Sequence, residues 1–378
     1  MLPDLSEPDK KIDLNMSSYT SIAEDPAGGR WIGAYDGGFV KIDTPEGSGP
    51  NLGIPRFTRH FPKPGDEDRD THKMVRCLLQ DEAVIVWIGT SGCGLYRFEP
   101  QTGEFKQYLH DAGDSMTLTG NKIYAFYEAP SDPGVLWIGT ETGLSRFEIP
   151  TGRVTRFLAD PADPLSLSID FITAIHEDRS GSLWIGTVGG GLNRLDRATG
   201  TFACFDLSQG LSSRSIAGIL EDDHGRLWFS TFSGIACFDP EIETIRVFNT
   251  REGLSSDEFC TGAQYKGLSG TMYFGSIGGL TAFKSDEITE NEDPPAVVLT
   301  DFQLFNDPVP IGEMEDGRIL LRQSITATRE IELSYSDSVM SFHYAALHFA
   351  APEKNLFAYI MEGFDRDWNV VHARRLAT

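Results

Sequence analysis

Two sets of polar and aromatic residues recur at equivalent places along this chain. The first stands just ahead of short apolar runs: Ser17, Ser18, Lys73, Asn121, Lys122, Asp170, Phe171, Arg214, Asp257 and Glu258. The second follows a tryptophan-bearing phrase: Tyr35, Asp36, Ser91, Glu141, Thr142, Val188, Phe232 and Ser233. Mixed in charge, these residues offer donors and acceptors to a hydroxyl-rich or zwitterionic ligand without requiring desolvation of one dominant charge. Tyr35 and Phe232 add ring faces of the kind that stack on the apolar sides of sugars. Asp170, Asp257 and Glu258 suggest a second chemistry, the acid and base carboxylates of a glycosidase or lyase. Taken one at a time, each also reads as an ordinary solvated loop residue.

What would gather residues so far apart is a repeat. The phrase Trp31-Ile32-Gly33-Ala34 returns at Trp87, Trp137 and Trp184, and in altered form at Trp228 and Tyr273. It does so roughly every 45–55 residues, a period that, built from strands, indicates propeller blades. The repeat around Trp184 divides into strands at 172–178, 182–187, 192–196 and 201–205, separated by Gly-bearing turns. Longer segments such as 160–168 then cross to the next sheet. Twelve to thirteen residues before the phrase lies a strand whose third member is small: Ser21, Cys77, Ala125, Ala174 and Gly218, with Thr261 continuing the series. Small residues at a fixed place suit an innermost strand near a closed axis. The expected fold is therefore all-β, a propeller of six recognisable four-stranded blades. The tryptophan packs between blades, the following glycine permits close sheet approach, and function is left to the loops.

Composition narrows the partners. The chain has 378 residues and a formal net charge of −24, with no Lys/Arg block, so a phosphate backbone would be repelled and nucleic acid is excluded as a partner. The five cysteines are odd in number and never form a C-x-x-C pair, which supports neither a disulfide framework nor a zinc site. Cys77 and Cys237 read as buried, inert thiols, and Cys93, in a turn, as the one open to reaction. His343 and His348 fall on opposite faces of a strand and read as structural. No metal or cofactor is implied. No apolar run is long enough to span a bilayer and no signal peptide stands at Met1–Leu5.

The phrase I-x-E-D-x-x-G-x-L-W-I-G-T-x-x-G-G-L-x-R-x-D-x-x-T-G, read from Ile175 to Gly200, resembles the repeat of two-component regulator propellers, and the resemblance runs over roughly residues 15–285. An acidic, proline-closed linker follows at 286–295. Beyond it, 296–305, 331–335, 340–349 and 355–363 alternate as strands of a sandwich. There Ser341 to Leu347, Pro352 to Asn355, Tyr359, Glu362 to Asp365 and Trp368 resemble the three-Y domain that follows such propellers. The expected organisation is a propeller over 1–285 and a C-terminally incomplete, immunoglobulin-like three-Y domain over 296–378.

The resemblance implies the extracytoplasmic, periplasmic sensor region of a classical or hybrid histidine kinase. It further implies a small polar ligand such as an oligosaccharide, homodimerisation through the three-Y domain, and membrane attachment only through segments outside this chain. The family's usual seven blades imply a further blade upstream, of which 2–9 resembles the trailing crossover. Nothing here resembles a phosphoacceptor helix, a kinase ATPase domain or a receiver, so the chain is expected not to be an enzyme. Against the glycosidase or lyase alternative, the turn from Asp178 to Trp184 is one residue longer than a sialidase Asp-box and recurs from Glu221 to Trp228. A protein-binding scaffold is the third reading.

Overall fold

The computed structural model describes residues 19–24, 29–35, 37–43, 56–61, 74–288, 295–347, 357–371 and 376–377. The chain divides into two compact units, Met1–Glu287 and Ile288–Thr378. Among the described residues helical structure is limited to short 3-10 turns, and no helix is long and apolar enough to cross a membrane.

The first unit is a succession of antiparallel sheets in which strands follow one another in chain order. Blade 4 consists of Ile172–Glu177, Leu183–Thr187, Leu192–Asp196 and Thr201–Phe205. Blades 1, 2, 3 and 5 repeat this plan, with inner strands Tyr19–Glu24, Val75–Gln80, Ile123–Glu128 and Ile216–Glu221. The sixth departs from expectation, with three strands among the described residues, the innermost being Phe259–Lys266. After Phe283 the chain enters the 3-10 turn Ser285–Glu287, and Asp286 pairs with His224 of blade 5 at 2.7 Å instead of continuing into a fourth strand.

Pairing register explains the small third residue of each inner strand. Ser21, Cys77, Ala125 and Ala174 stand directly opposite Gly33, Gly89, Gly139 and Gly186, and Gly218 opposite Ser230. Each of these glycines also meets the first residue of the next blade's inner strand. A Cβ on Gly33, Gly139 or Gly186 would come within 2.8 Å of Val75, 2.6 Å of Ile172 or 2.7 Å of Ile216. In blade 5 the roles are exchanged: Ser230 replaces the glycine, and the space over Gly218 is filled by Gln264, whose Oε1 is buried without a partner. In blade 6 the residue facing Gly275 is Ala263 rather than Thr261, because the inner strand is displaced by an irregularity between Phe259 and Gln264.

The tryptophans occupy the wedges between blades, Trp87 and Trp184 being fully buried. Each indole N–H needs an acceptor there, and the turn after the inner strand supplies one. Trp87 donates to Asp81, Trp184 to Asp178 and Trp228 to Asp222, at 2.7–3.0 Å. Trp31 donates instead to Gln80 of blade 2, and Trp137 Nε1 has no acceptor.

The two outermost blades differ from the rest in exposure. The residue after the glycine at the start of the third strand is fully buried in blades 1 to 5 (Phe39, Leu95, Leu144, Leu192, Ile235), yet its counterpart Leu280 in blade 6 is 63% exposed. On blade 1, Ile22 is 68% exposed where Leu78, Ile175 and Ile219 are buried. These flanks are apolar sheet faces of the kind that other blades cover. The segment resembling an upstream crossover, 2–9, lies outside the described residues.

All described cysteines are unpaired. Burial pushes the Cys237 thiol up to about 12 and raises that of half-buried Cys77 further still, as expected for inert thiols. Cys93 is buried, which removes the accessibility that a reactive thiol would need. Cys204 and Cys260 are the exposed ones.

In the second unit, Val297–Leu304 pairs antiparallel with Met340–Ala346, flanked by Asp307–Pro308 and Leu376–Ala377. Phe357–Tyr359 and Asn369–Val371 form a separate pair, packed on the larger sheet through Tyr344 and Phe357, whose rings lie 5.1 Å apart. Phe302, Leu304, Val309, Leu321 and Ile325 make the core. The expected strand at 331–335 does not form. Ile331 and Leu333 pack on that core, but the chain then folds into a turn in which Asp337 accepts from Ser334 N and Oγ, both at 2.8 Å. Arg318 grips the same carboxylate with both terminal nitrogens, at 2.8 and 3.2 Å. Backbone groups committed to this turn are not available to a ladder.

The Arg318 hydrogen bonds, followed by those of Ser334, hold the Asp337 carboxyl well below the usual carboxylate range. A depressed folded value means that the unfolded chain takes up the proton first. The contribution is complete above the unfolded Asp value of about 3.9 and declines as pH falls through the folded value. Urea unfolding of the second unit followed downward from pH 5 is expected to lose stability, and Asp337→Asn to flatten that loss. An unchanged profile in the variant would remove Asp337 as its origin.

Candidate functional site

The rim is assembled by backbone bonds before any side chain contributes. In blades 2 to 6 the turn after the second strand is tied to its own blade's inner-strand entrance: Ser91 N donates to Met74 O, Glu141 N to Lys122 O, Val188 N to Phe171 O, Phe232 N to Ser215 O and Ile277 N to Glu258 O. The same turn reaches the next blade. Gly94 N donates to Asn121 O, Gly189 and Gly191 N to Arg214 O, and Gly234 N to Asp257 O. The two sets of residues singled out in the sequence therefore do meet along one edge.

Many of their side chains, however, face the crossovers. Asn121, Asp170 and Asp257 occupy one equivalent position, two residues before the inner strand. Each accepts a backbone N–H from the crossover, from His110 (2.8 Å), Ala159 (2.7 Å) and Thr250 (2.7 Å) respectively. Arg214, at the same position in blade 5, is paired with Asp206 at 2.9 Å. These four fasten one blade to the next, which is the physical reason for their polarity. Lys73, Asp36, Ser17 and Ser18 lie outside the described residues.

Several of the remaining candidates face outward, whereas the Thr142 hydroxyl turns back to Thr119 O. Lys122 is exposed and paired with Glu141 at 3.0 Å. Tyr35 and Phe232 are 36% and 41% exposed, Glu258 is exposed, and Phe171 packs on Tyr124 with ring centroids 4.7 Å apart.

Two further residues, Arg76 and Tyr124, join this group without having been singled out from sequence. In blade 2 Val75 pairs with Thr90 and Cys77 with Gly89; in blade 3 Ile123 pairs with Thr140 and Ala125 with Gly139. Arg76 and Tyr124 are the extra residues of β-bulges, and a bulge re-aims its side chain. The Arg76 guanidinium lies 4.4 Å from the Tyr124 ring centroid and 5.6 Å from that of Tyr35, and its Nε donates to Ser91 Oγ at 3.0 Å. The same bulge position holds Thr20 and Thr173, whose hydroxyls bond Val75 O and Ile216 O of the next blade. A signal was present in the sequence: a cation and a tyrosine at a place otherwise held by small residues.

The aspartates of the recurring turn are structural. Asp178 Oδ1 accepts from Ser180 N, Ser180 Oγ and Ser182 N, and Oδ2 from Trp184. Burial, the largest influence on Asp222, pushes its carboxyl up, but hydrogen bonds from Trp228 and Arg226 outweigh it and hold the group below the ordinary range. Both carboxylates are occupied by donors of their own turn. Among the described residues no cluster of His, Cys, Asp and Glu could hold a metal ion.

Comparison with known proteins agrees with this fold. The family profile described as "Two component regulator propeller" matches residues 166–189 and 210–233, one repeat unit in each of blades 4 and 5. Histidine kinase P4 of Formosa agariphila is 28% identical over 289 residues, which is 76% of this chain and 21% of that protein. The chain thus spans about one-fifth of the kinase. The extracellular domain of a hybrid two component system from B. thetaiotaomicron is similar in structure, with TM-score 0.50 and 20% identity over 95% of this chain and 52% of that one. Virginiamycin B lyase from Staphylococcus aureus gives TM-score 0.53 at 17% identity, over 72% and 83% of the two chains, a likeness of fold. The recurring phrase and the profile match identify two-component regulator propeller repeats in blades 4 and 5, within a unit whose fold is that of a propeller.

Proposed function

We propose that this chain is the ligand-sensing, extracytoplasmic part of a two-component sensor, in which the propeller rim binds a small polar, carbohydrate-like ligand and the second unit, as a three-Y domain, relays occupancy to a dimeric kinase. One observation carries this reading: the bulged inner strands turn Arg76 and Tyr124 onto the rim beside Tyr35, Phe171 and the Lys122–Glu141 pair. That surface combines ring faces with hydrogen-bonding groups, as sugar recognition requires. Binding rather than turnover is favoured because Asp170 and Asp257 hold their crossovers rather than forming an acid–base pair. Signal relay requires two states of the sensor with different ligand affinity.

The test is a thermal-shift screen of the chain against oligosaccharides of defined length, with long incubation and product analysis. A ligand present at about 100 times its dissociation constant adds about 2.7 kcal/mol to stability. An unaltered hit whose shift is lost in Tyr124→Ala or Phe232→Ala supports a sensor at this rim. Turnover of the hit would make the chain an enzyme, and silence across the panel would favour a protein-binding scaffold.

A further inference from the structure

We infer that Arg76 is an anion receptor within this rim, so that the ligand carries a carboxylate or sulfate group beside its sugar ring. The inference deepens the proposed function and rests on it for the sugar.

Like Arg156, which bonds backbone carbonyls, and Arg194, which lies over Trp184, Arg76 is a basic residue without an ion pair among the described residues of a chain with formal net charge −24. No carboxylate among the described residues forms an ion pair with it, whereas Arg146, Arg179, Arg197, Arg214, Arg226 and Arg318 are all so paired. It is half-buried at a bulge and held by the Tyr35 and Tyr124 rings and by one hydrogen bond from Nε to Ser91 Oγ. Contact with ring faces orients a guanidinium while leaving its hydrogen-bonding edge unsatisfied. Among the described residues its terminal nitrogens have no hydrogen-bond partner. That planar edge, with two parallel N–H groups, matches a carboxylate or sulfate.

The neighbouring charges favour the same ligand. A neighbouring cation, Lys122, is already matched by Glu141, so the pair is nearly neutral and Arg76 remains the uncompensated charge of the described cluster. Phe171 continues the aromatic surface from Tyr124, giving a sugar ring a place to stack while its acidic substituent meets Arg76. Selection of this kind acts at contact range, since the acidic chain as a whole repels anions at long range.

The experiment uses the whole chain at constant ionic strength, with tetragalacturonate, its fully methyl-esterified form and sodium sulfate as probes. Two readouts are taken: affinity by calorimetry, and the rate of phenylglyoxal modification at Arg76 by peptide mass spectrometry. Tetragalacturonate is expected to bind on the order of tenfold tighter than the ester and to slow Arg76 modification by a similar factor, while Arg76→Gln abolishes the preference. Arg76→Lys, which keeps the charge but not the planar edge, should restore the preference only in part. Equal binding and equal protection by acid and ester would overturn the anion receptor while supporting a sugar site. Protection by sulfate alone would uphold the receptor and count against the sugar. A preference that survives in Arg76→Gln, or no protection by any probe, overturns the inference, and the modification readout on the unmutated chain decides the matter even if the variant folds poorly.

Discussion

Asp222→Ala is expected to destabilise the first unit by about 3–5 kcal/mol, the range for removing one member of a buried, hydrogen-bonded charge pair. The carboxylate accepts from His224 N and Arg226 N through one oxygen, and from Arg226 Nε and Trp228 Nε1 through the other. Alanine leaves the buried indole N–H without an acceptor, frees the turn and strands the Arg226 head group. Asp222→Asn retains an acceptor and should lose less. Trp137 supplies the internal comparison. Its indole N–H already lacks an acceptor, with Ala129 where blades 4 and 5 carry Asp178 and Asp222. Trp137→Phe should therefore be milder than Trp228→Phe. Denaturant unfolding monitored by circular dichroism measures all four, and an Asp222→Ala variant within about 1 kcal/mol of the parent would remove this carboxylate as the organiser of the turn.

Gly186→Val is the second large effect, at about 3 kcal/mol, the upper end for inserting bulk into a closely packed interior. A Cβ at this position would stand 2.7 Å from Ile216 Cγ2, 2.9 Å from Ile216 Cβ and 3.2 Å from Ala174 Cβ. These are rigid β-branched and backbone-proximal atoms, so blades 4 and 5 must separate to admit the side chain. If interblade contact is the cause, Ile216→Ala should be less harmful in the Gly186→Val background than alone. A double-mutant cycle measures that coupling, and strictly additive losses would locate the damage elsewhere.

The strand order, the wedge tryptophans and the close approach at each W-I-G glycine were legible because they recur. A residue that must be small opposite Gly139 must be small again opposite Gly186, and repetition exposes the constraint without coordinates. The second unit was less legible. Ile331 and Leu333 show the apolar alternation of a strand, but the bonds from Arg318 and Ser334 to Asp337 bend the chain that follows into a turn. Alternation reports which side chains seek the core, and it is silent on whether the backbone finds a ladder partner.

The candidate rim divides along the same line. Sequence placed Asn121, Asp170, Arg214 and Asp257 at one edge of the propeller, and the edge is there, because backbone bonds from the following turns assemble it. It could not show that these side chains turn back to hold the crossovers, since that depends on where His110, Ala159, Asp206 and Thr250 arrive in space. Nor could it single out Arg76 and Tyr124. Strand alternation assigns a side chain to a face only while pairing stays in register, and one bulged residue in each inner strand of blades 2 and 3 breaks that rule where the rim forms. What the sequence by itself determined was the repeat, and with it the blades and the edge on which loops collect, because local pattern and period are written residue by residue. What only the tertiary structure decided was which side chains on that edge remain free to meet a ligand, because that follows from pairing register and from contacts between residues some 10 to 50 positions apart.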